Sequence, residues 1–302
     1  MKEALSEFKS AFIALVGRPN CGKSTLINTI IGENVSIVSP LPQTTQKNIR
    51  GLYNGNNYQL VFIDTPGIHK GRHTLNKSMF KQSVTMFRDE GIDIVCYVVD
   101  LSRSLGVEED RIASMVQQLT IPVVLIFNKT DVCTTVDKSI KQFFEKYPTL
   151  NTKKFLALCA HSPLSKELFL KAVEPLLPYG PRYYPDDIFS DSNLRFFASE
   201  LIRKQIIDVT TNEVPHASCV EILSYKELDT SHSIEAVVHV ETQGQKGIVI
   251  GKKGRIITKI KKRAQKALEQ LVGVPVTITC HVSVTPRWRD NKRFLDELGF
   301  TS

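Results

Sequence analysis

The sequence predicts two domains of different class: an α/β domain with a mostly parallel sheet and helices on both faces, then a smaller α+β domain. Three observations carry this. Apolar runs of strand length alternate with helix-period segments up to about residue 177. Strands that are apolar throughout are buried on both faces, as parallel strands between helix layers are. A glycine-rich string ending in Lys-Ser stands where the first such run meets the first helix, and beyond Pro178, Pro181 and Pro185 the order of elements changes.

The elements follow in order. Phe12–Val16 reads as a buried strand, and a helix runs from about Ser24 to Ile31. Strands are expected near Asn48–Tyr53 and Tyr58–Ile63, then over the apolar runs Ile92–Asp100, Pro122–Phe127 and Phe155–Cys159. Between them, 3.6-residue apolar periodicity marks helices near Glu108–Leu119, Asp137–Lys146 and Ser165–Leu177. The proline-containing stretch is stiff and unfit for helix, so residues 179–191 are read as a linker between a domain at 1–178 and one at 192–302. The second domain reads helix (Ser192–Asp208), strand (Ala217–Tyr225), strand (Ser233–Glu241), helices around Ile248–Leu271, strand (Val274–Val284) and a short terminal helix.

A chain of 302 residues with 42% hydrophobic content suits two packed domains. The six cysteines stand singly, with no CxxC pair and no dense spacing, which argues against a zinc site or a disulfide framework and for a reducing compartment. The apolar run Ala11–Val16 is too short for a signal sequence or a membrane span, so a soluble, intracellular protein is expected. Charge is uneven. From Thr242 to Arg293 thirteen Lys or Arg face two acids, a net of +11 within a chain of net +8, leaving −3 for the rest. Such a density favours an anionic polymer as partner.

Four short strings carry the chemistry of the first domain. In Gly17-Arg18-Pro19-Asn20-Cys21-Gly22-Lys23-Ser24, followed by Thr25, the glycines let backbone amides curl around phosphates at the positive end of the next helix. Lys23 would reach the β- and γ-phosphates and the Ser24 hydroxyl would ligate Mg2+. Asp64-Thr65-Pro66-Gly67 ends a strand; Asp64 can hold Mg2+ through water and the Gly67 amide can sense the γ-phosphate. In Asn128-Lys129-Thr130-Asp131, the Asp131 carboxylate accepts from guanine N1 and N2, which adenine lacks, and such sites discriminate by about 10⁴-fold or more. Asn128 would brace the phosphate loop and the Lys129 stem would cover the base. By chance, three such strings in this order would occur in about one chain in a million.

Two weaker strings gain meaning beside these. Gln43-Thr44-Thr45-Gln46 lies between the first helix and second strand; Thr45, with Thr44 as the alternative, is the candidate switch threonine for Mg2+ and the γ-phosphate. Cys159-Ala160 follows the next strand, where GTPases usually carry Ser-Ala, and the Ala160 amide is the candidate donor to guanine O6. Lys23, Thr45 and Gly67 are thus the candidate catalytic groups. Ile68 stands where Ras-like switches place the glutamine that orients water, so slow intrinsic hydrolysis is expected. Asn20 has two readings, a K+ ligand that would bring positive charge to the β/γ oxygens or a hydrogen bonder within the loop.

In the second domain, Ile248-Val249-Ile250-Gly251-Lys252-Lys253-Gly254 runs into a cationic helix. A bare G-x-x-G is weak, and Gly244 to Gly247 is another. With its apolar lead, basic middle and cationic helix, the string resembles a KH domain, where the loop clamps about four nucleotides of single-stranded RNA. Lys252, Lys253, Arg255 and Lys259 would meet phosphates; Ile248, Ile250 and Ile256 would line the base groove. The order of elements resembles the type II arrangement. Trp288, within Arg287-Trp288-Arg289, either stacks on a base or caps the domain.

Taken together, G-R-P-N-x-G-K-S, Q-T-T, D-T-P-G, N-K-x-D, the KH string and the Trp-to-Leu-Gly-Phe tail resemble the Era family of bacterial GTPases from about Phe12 to Phe300. The departures are Cys159, Gln46 where arginine is usual, and Ile248. The resemblance implies an α/β P-loop GTPase domain followed by a type II KH domain. It implies GTP/GDP with Mg2+, joined by K+ where Asn20 acts as its ligand rather than as a hydrogen bonder within the loop. It further implies binding to the 3′ end of 16S ribosomal RNA, a role in assembly of the 30S subunit, a monomer, and a cytoplasmic location with peripheral association with the inner membrane. The alternative expectation is a nucleotide-gated RNA chaperone or scaffold whose hydrolysis is incidental. A tRNA-modifying GTPase would carry further catalytic segments or a terminal cysteine, which this sequence does not show.

Overall fold

The computed structural model describes residues 8–33, 35, 36, 38, 49–65, 91–211 and 213–300. The chain divides into two compact units between Asp191 and Ser192.

The first unit is built on a six-stranded sheet of order β2-β3-β1-β4-β5-β6. Its strands are β1 (Lys9–Gly17), β2 (Ile49–Asn54), β3 (Tyr58–Asp64), β4 (Ile94–Asp100), β5 (Val123–Asn128) and β6 (Lys154–Ala157). All neighbours are parallel except β2, which runs antiparallel to β3. The central strands are apolar throughout because both faces are covered. Ile13 and Leu15 of β1 face one core with Leu26, Ile27 and Ile30 of α1 (Lys23–Ile31) and Phe169 and Val173 of α4 (Leu164–Val173). Ala14 and Val16 face the other, with Ile112 and Val116 of α2 (Val107–Gln117) and Phe143 of α3 (Val136–Lys146). α4 ends short of the expected Leu177 because Pro175 follows, and a 3-10 turn (Glu174–Leu176) replaces its last turn. β6 is a short, largely exposed edge strand ending at Ala157, which leaves Cys159 and Ala160 in the loop beyond it.

The proline-containing segment lies along this unit as a strap. Ser10 N–H donates to Pro178 O at 3.2 Å, and Gly180 N–H to Phe8 O at 3.2 Å. Gln59, fully buried in β3, receives the Tyr183 and Tyr184 amides on Oε1 at 2.9 and 3.0 Å. Its Nε2 donates to Tyr184 O at 2.9 Å. Farther on, Leu52 N–H donates to Phe189 O at 2.9 Å and Ser190 Oγ to Arg50 O at 2.6 Å.

The second unit has a three-stranded sheet of order β7-β8-β9. β7 (Cys219–Leu228) is antiparallel to β8 (Ser231–Val240), which is parallel to β9 (Val276–Val284). The parallel pair requires a crossover, supplied by α6 (Gln243–Ile250) and α7 (Arg255–Val272). These pack with α5 (Leu194–Val209) on one apolar face made of Ile234, Ala236, Val238, Ile278 and their neighbours. The helices expected around Ile248–Leu271 are these two, the first starting five residues earlier. Thr242 and Gln245 form a reciprocal cap at that start. A short helix, α8 (Lys292–Glu297), closes the chain. The architecture is an α/β P-loop domain followed by an α+β KH domain.

None of the six cysteines forms a disulfide. Among the described residues no helix is long and apolar enough to cross a membrane.

Candidate nucleotide site and RNA surface

In an open parallel sheet the carboxyl ends of the strands form the crevice where ligands bind. The predicted residues converge there: Gly17 ends β1, Asp64 ends β3, Asn128 ends β5, and Ala160 follows β6. Gly17 leads into the phosphate loop, where a Cβ would overlap Val98 O and come within 2.6 Å of Cys21 Sγ. Gly22 has φ +99°, and a Cβ there would overlap the Asn128 side-chain amide. Both positions need glycine. Lys23 is buried, its Nζ donating to Gly17 O at 3.3 Å and Arg18 O at 3.2 Å, so the ammonium lies inside the curl of the loop.

Ser24 Oγ and Asp64 Oδ2 lie 2.5 Å apart. A hydroxyl at a helix start and a fully buried carboxylate at a strand end are hard oxygen donors on one spot, which fits Mg2+.

Asn128 joins three loops. It is 2% exposed; its Nδ2 donates to Cys21 O at 2.7 Å and its Oδ1 accepts from Ala160 N at 2.8 Å. The Ala160 amide, expected to face guanine O6, is therefore held by Asn128 in this structure. Thr29 Oγ1 donates to Ala160 O at 2.7 Å, tying the same loop to α1. Lys129 sits at φ +66° and its Nζ pairs with Asp100 Oδ2 at 2.7 Å, which lays its stem across the crevice. Asp131 is exposed. Burial first, and the neighbouring Asp131 carboxylate second, push the Cys159 thiol above its usual range.

Three residues of these strings also hold other parts of the domain. The Arg18 side chain leaves the loop for Glu108 and Glu109 of α2. Pro19 has no N–H to offer, and its carbonyl accepts from Arg103 Nη1 at 3.3 Å. The Thr65 hydroxyl is buried and donates to Leu15 O at 2.6 Å, so it fastens β3 to β1. Asn20 has φ +62° and Thr25 is half-buried on α1. Thr44, Thr45, Pro66, Gly67 and Ile68 lie outside the described residues.

Asp100 and Thr29 were not foreseen. Asp100 had a signal: it is the one carboxylate closing the apolar run of β4, at the same sheet edge as Asp64. Thr29 had none, since a threonine inside a helix reads as solvent-facing.

In the second unit Gly251 (φ +71°), Lys253 (φ +52°) and Gly254 (φ +72°) form a tight left-handed turn between α6 and α7. A Cβ on Gly251 would stand 2.6 Å from Ile256 Cγ1. Lys252, Lys253, Arg255, Lys259, Lys262 and Lys266 are exposed. The last four recur at helical spacing, which makes one basic stripe leading away from the turn. Ile248 is 42% exposed beside it, Ile250 half-buried and Val249 fully buried. Gly244 and Gly247, the other G-x-x-G, lie inside α6. Trp288 is 0% exposed, donates from Nε1 to Ala217 O at 2.9 Å and packs on Phe294 and Phe300. Base stacking is corrected to the other reading: the indole caps the domain.

Comparison with known proteins agrees with this geometry. The family model described as 50S ribosome-binding GTPase matches residues 12–129, and the KH domain model matches residues 213–289. A GTPase Era of Geobacter metallireducens is 39% identical over 298 residues, 97% of this chain and 98% of that protein. One of Caldanaerobacter subterraneus is 36% identical over 297 residues, with 97% and 98% covered. Among solved structures, an Aquifex aeolicus Era variant bound to GDP·AlF4⁻ superposes with TM-score 0.91 at 30% identity, covering 98% of this chain and 100% of the other. Era in complex with MgGDPNP and nucleotides 1506–1542 of 16S ribosomal RNA gives 0.92 at the same identity and coverage. With relatives matched along nearly their whole length, and both domains accounted for, the chain belongs to the GTPase Era family.

Proposed function

We propose that this chain is a GTP-driven switch that binds the 3′ end of 16S ribosomal RNA and serves assembly of the 30S subunit. The observation that carries it is the convergence of Lys23, the Ser24–Asp64 pair and the Asn128-bridged loops at one sheet edge, in a chain that also presents a basic Gly251–Gly254 turn. Bound Mg2+ would neutralise charge on the phosphates. The chain's own part is positional: the loop amides and Lys23 orient the β- and γ-phosphates, Asp131 selects guanine, and Thr45 and Gly67 report the γ-phosphate to the switches. Asn20 is assigned a K+ near the phosphates; equal turnover in K+ and Na+ would refute that.

The RNA reading is supported by the exposed basic stripe and by the relative whose complex holds a 16S fragment. GTP ordering the switches would open the KH turn to RNA, and hydrolysis would close it. The protein works as a monomer in the cytoplasm; sedimentation tests the first, and fractionation tests both this location and the peripheral membrane association drawn from the family.

The deciding experiment is GTP hydrolysis with and without single-stranded RNA from the 16S 3′ end, in K+ buffer. Stimulation that disappears in Gly254→Asp or Lys253→Glu is expected. Stimulation that survives both would refute the role of the turn, and RNA affinity equal in GDP and in a non-hydrolysable GTP analogue would refute the coupling.

A further inference from the structure

Arg18 stands in the phosphate loop, yet its two ends do different work. Its carbonyl, with that of Gly17, accepts from Lys23 Nζ at 3.2 and 3.3 Å. Its guanidinium crosses to the first turn of α2. There Nε donates to Glu108 Oε2 at 3.0 Å, and Nη1 to Glu109 Oε2 at 2.9 Å and to Ser104 O at 3.0 Å. Glu109 is 1% exposed, and its other oxygen faces the buried Tyr97 hydroxyl at 3.4 Å. Burial pushes the Glu109 carboxyl up, while Arg18 pulls it down.

A buried ion pair is a poor source of net stability, because desolvating two charges offsets their attraction; apolar residues of equal volume often do as well. What a planar guanidinium held by three acceptors does supply is direction. Here that direction is imposed on the loop that must cradle phosphates, and preorganised donors bind without reorganising. We propose that Glu109 is a positioning residue of the nucleotide site, acting through Arg18 to hold the phosphate loop in its curl before nucleotide arrives. The inference rests on reading Gly17–Ser24 as the phosphate site.

The clamp governs binding rather than the chemical step, so KM and kcat separate. In the full-length protein, Glu109→Gln is expected to weaken GDP and GTP affinity about tenfold, the scale of one hydrogen bond to a charged group. KM should rise in proportion, with kcat within about twofold of the unaltered protein. Arg18→Met should give the same loss, and the double variant no more than either alone, since both break one clamp. Fluorescent-nucleotide titration and hydrolysis at saturating GTP read these. A role confined to stapling α2 to the sheet would lower the thermal midpoint with affinity unchanged, and that result would overturn the proposal. Additive losses in the double variant would also overturn it. If Glu109→Gln does not fold, Glu109→Asp keeps the charge and shortens the reach; unchanged GDP affinity there would count against the clamp equally. Failure of the unaltered protein to prefer GTP over ATP would instead sink the nucleotide reading itself.

Discussion

Replacing Gln59 by leucine should loosen the strap that runs from Pro178 to Asp191. Gln59 is fully buried in β3, yet each of its polar atoms is used. Oε1 accepts from the Tyr183 and Tyr184 amides, and Nε2 donates to Tyr184 O and to Asn54 Oδ1 at 2.8 Å. Leucine fills a similar volume and satisfies none of them. Three backbone groups of the strap and one side-chain oxygen lose their partner. A buried polar group left unpaired costs about 1–3 kcal/mol. The strap itself is partly exposed, so water recovers some of this, and about 3 kcal/mol in total is the working figure. For a unit of this size each kcal/mol shifts the midpoint by about 2–4 °C, giving a fall of about 6–12 °C. The assay is thermal unfolding of the full chain, following the transition that GDP shifts upward, with trypsin cleavage at Arg182 as a local readout. A fall under about 2 °C, with Arg182 no more accessible than before, would show that the strap is held by its other contacts and that the accounting is wrong.

Three further outcomes follow from the same geometry. Gly22→Ala, which drives a methyl into the Asn128 amide at φ +99°, should weaken nucleotide binding about 100-fold, whereas Gly32→Ala at φ +91°, with nothing within 4 Å, should cost only backbone strain and leave affinity intact; nucleotide titration compares them. Gly251→Ala, strained at φ +71° and crowded by Ile256, should lose about tenfold in RNA affinity, while Gly247→Ala in the open middle of α6 should bind RNA as before and gain about 0.5–1 kcal/mol of stability. Burial and, next, the nearby Arg289 hold the His216 imidazole below its usual range. The unfolded chain therefore takes up the proton first, so the second unit should lose stability as pH falls through about 6.5, and His216→Gln should flatten that slope in thermal unfolding.

The reach of the sequence is clear at particular residues. Gly17, Gly22, Lys23, Ser24, Asp64 and Asn128 could be placed from local order alone, because a strand that ends at a turn delivers its last residue to the sheet edge whatever the rest of the chain does. The type II order of the second unit was legible for the same reason: periodicity marks elements, and element order constrains topology. Boundaries were less so. The start of α6 was missed because Gln243-Gly244-Gln245-Lys246-Gly247 has little apolar periodicity, and the capping pair Thr242–Gln245 is a long-range-free but polar signal.

What only the tertiary structure decided is the use of side chains whose partners are distant in sequence. Trp288 is buried because Ala217, 71 residues away, offers a carbonyl to its Nε1. The Arg18 guanidinium points out of its own loop because Glu109, 91 residues on, lies buried beside it. The proline-containing segment is a strap because Gln59, more than 120 residues earlier, presents donor and acceptor together. Sequence by itself determines local conformation and the chemistry available at strand ends. Whether a polar side chain faces ligand, solvent or another part of the chain depends on which partner folding brings within about 3 Å.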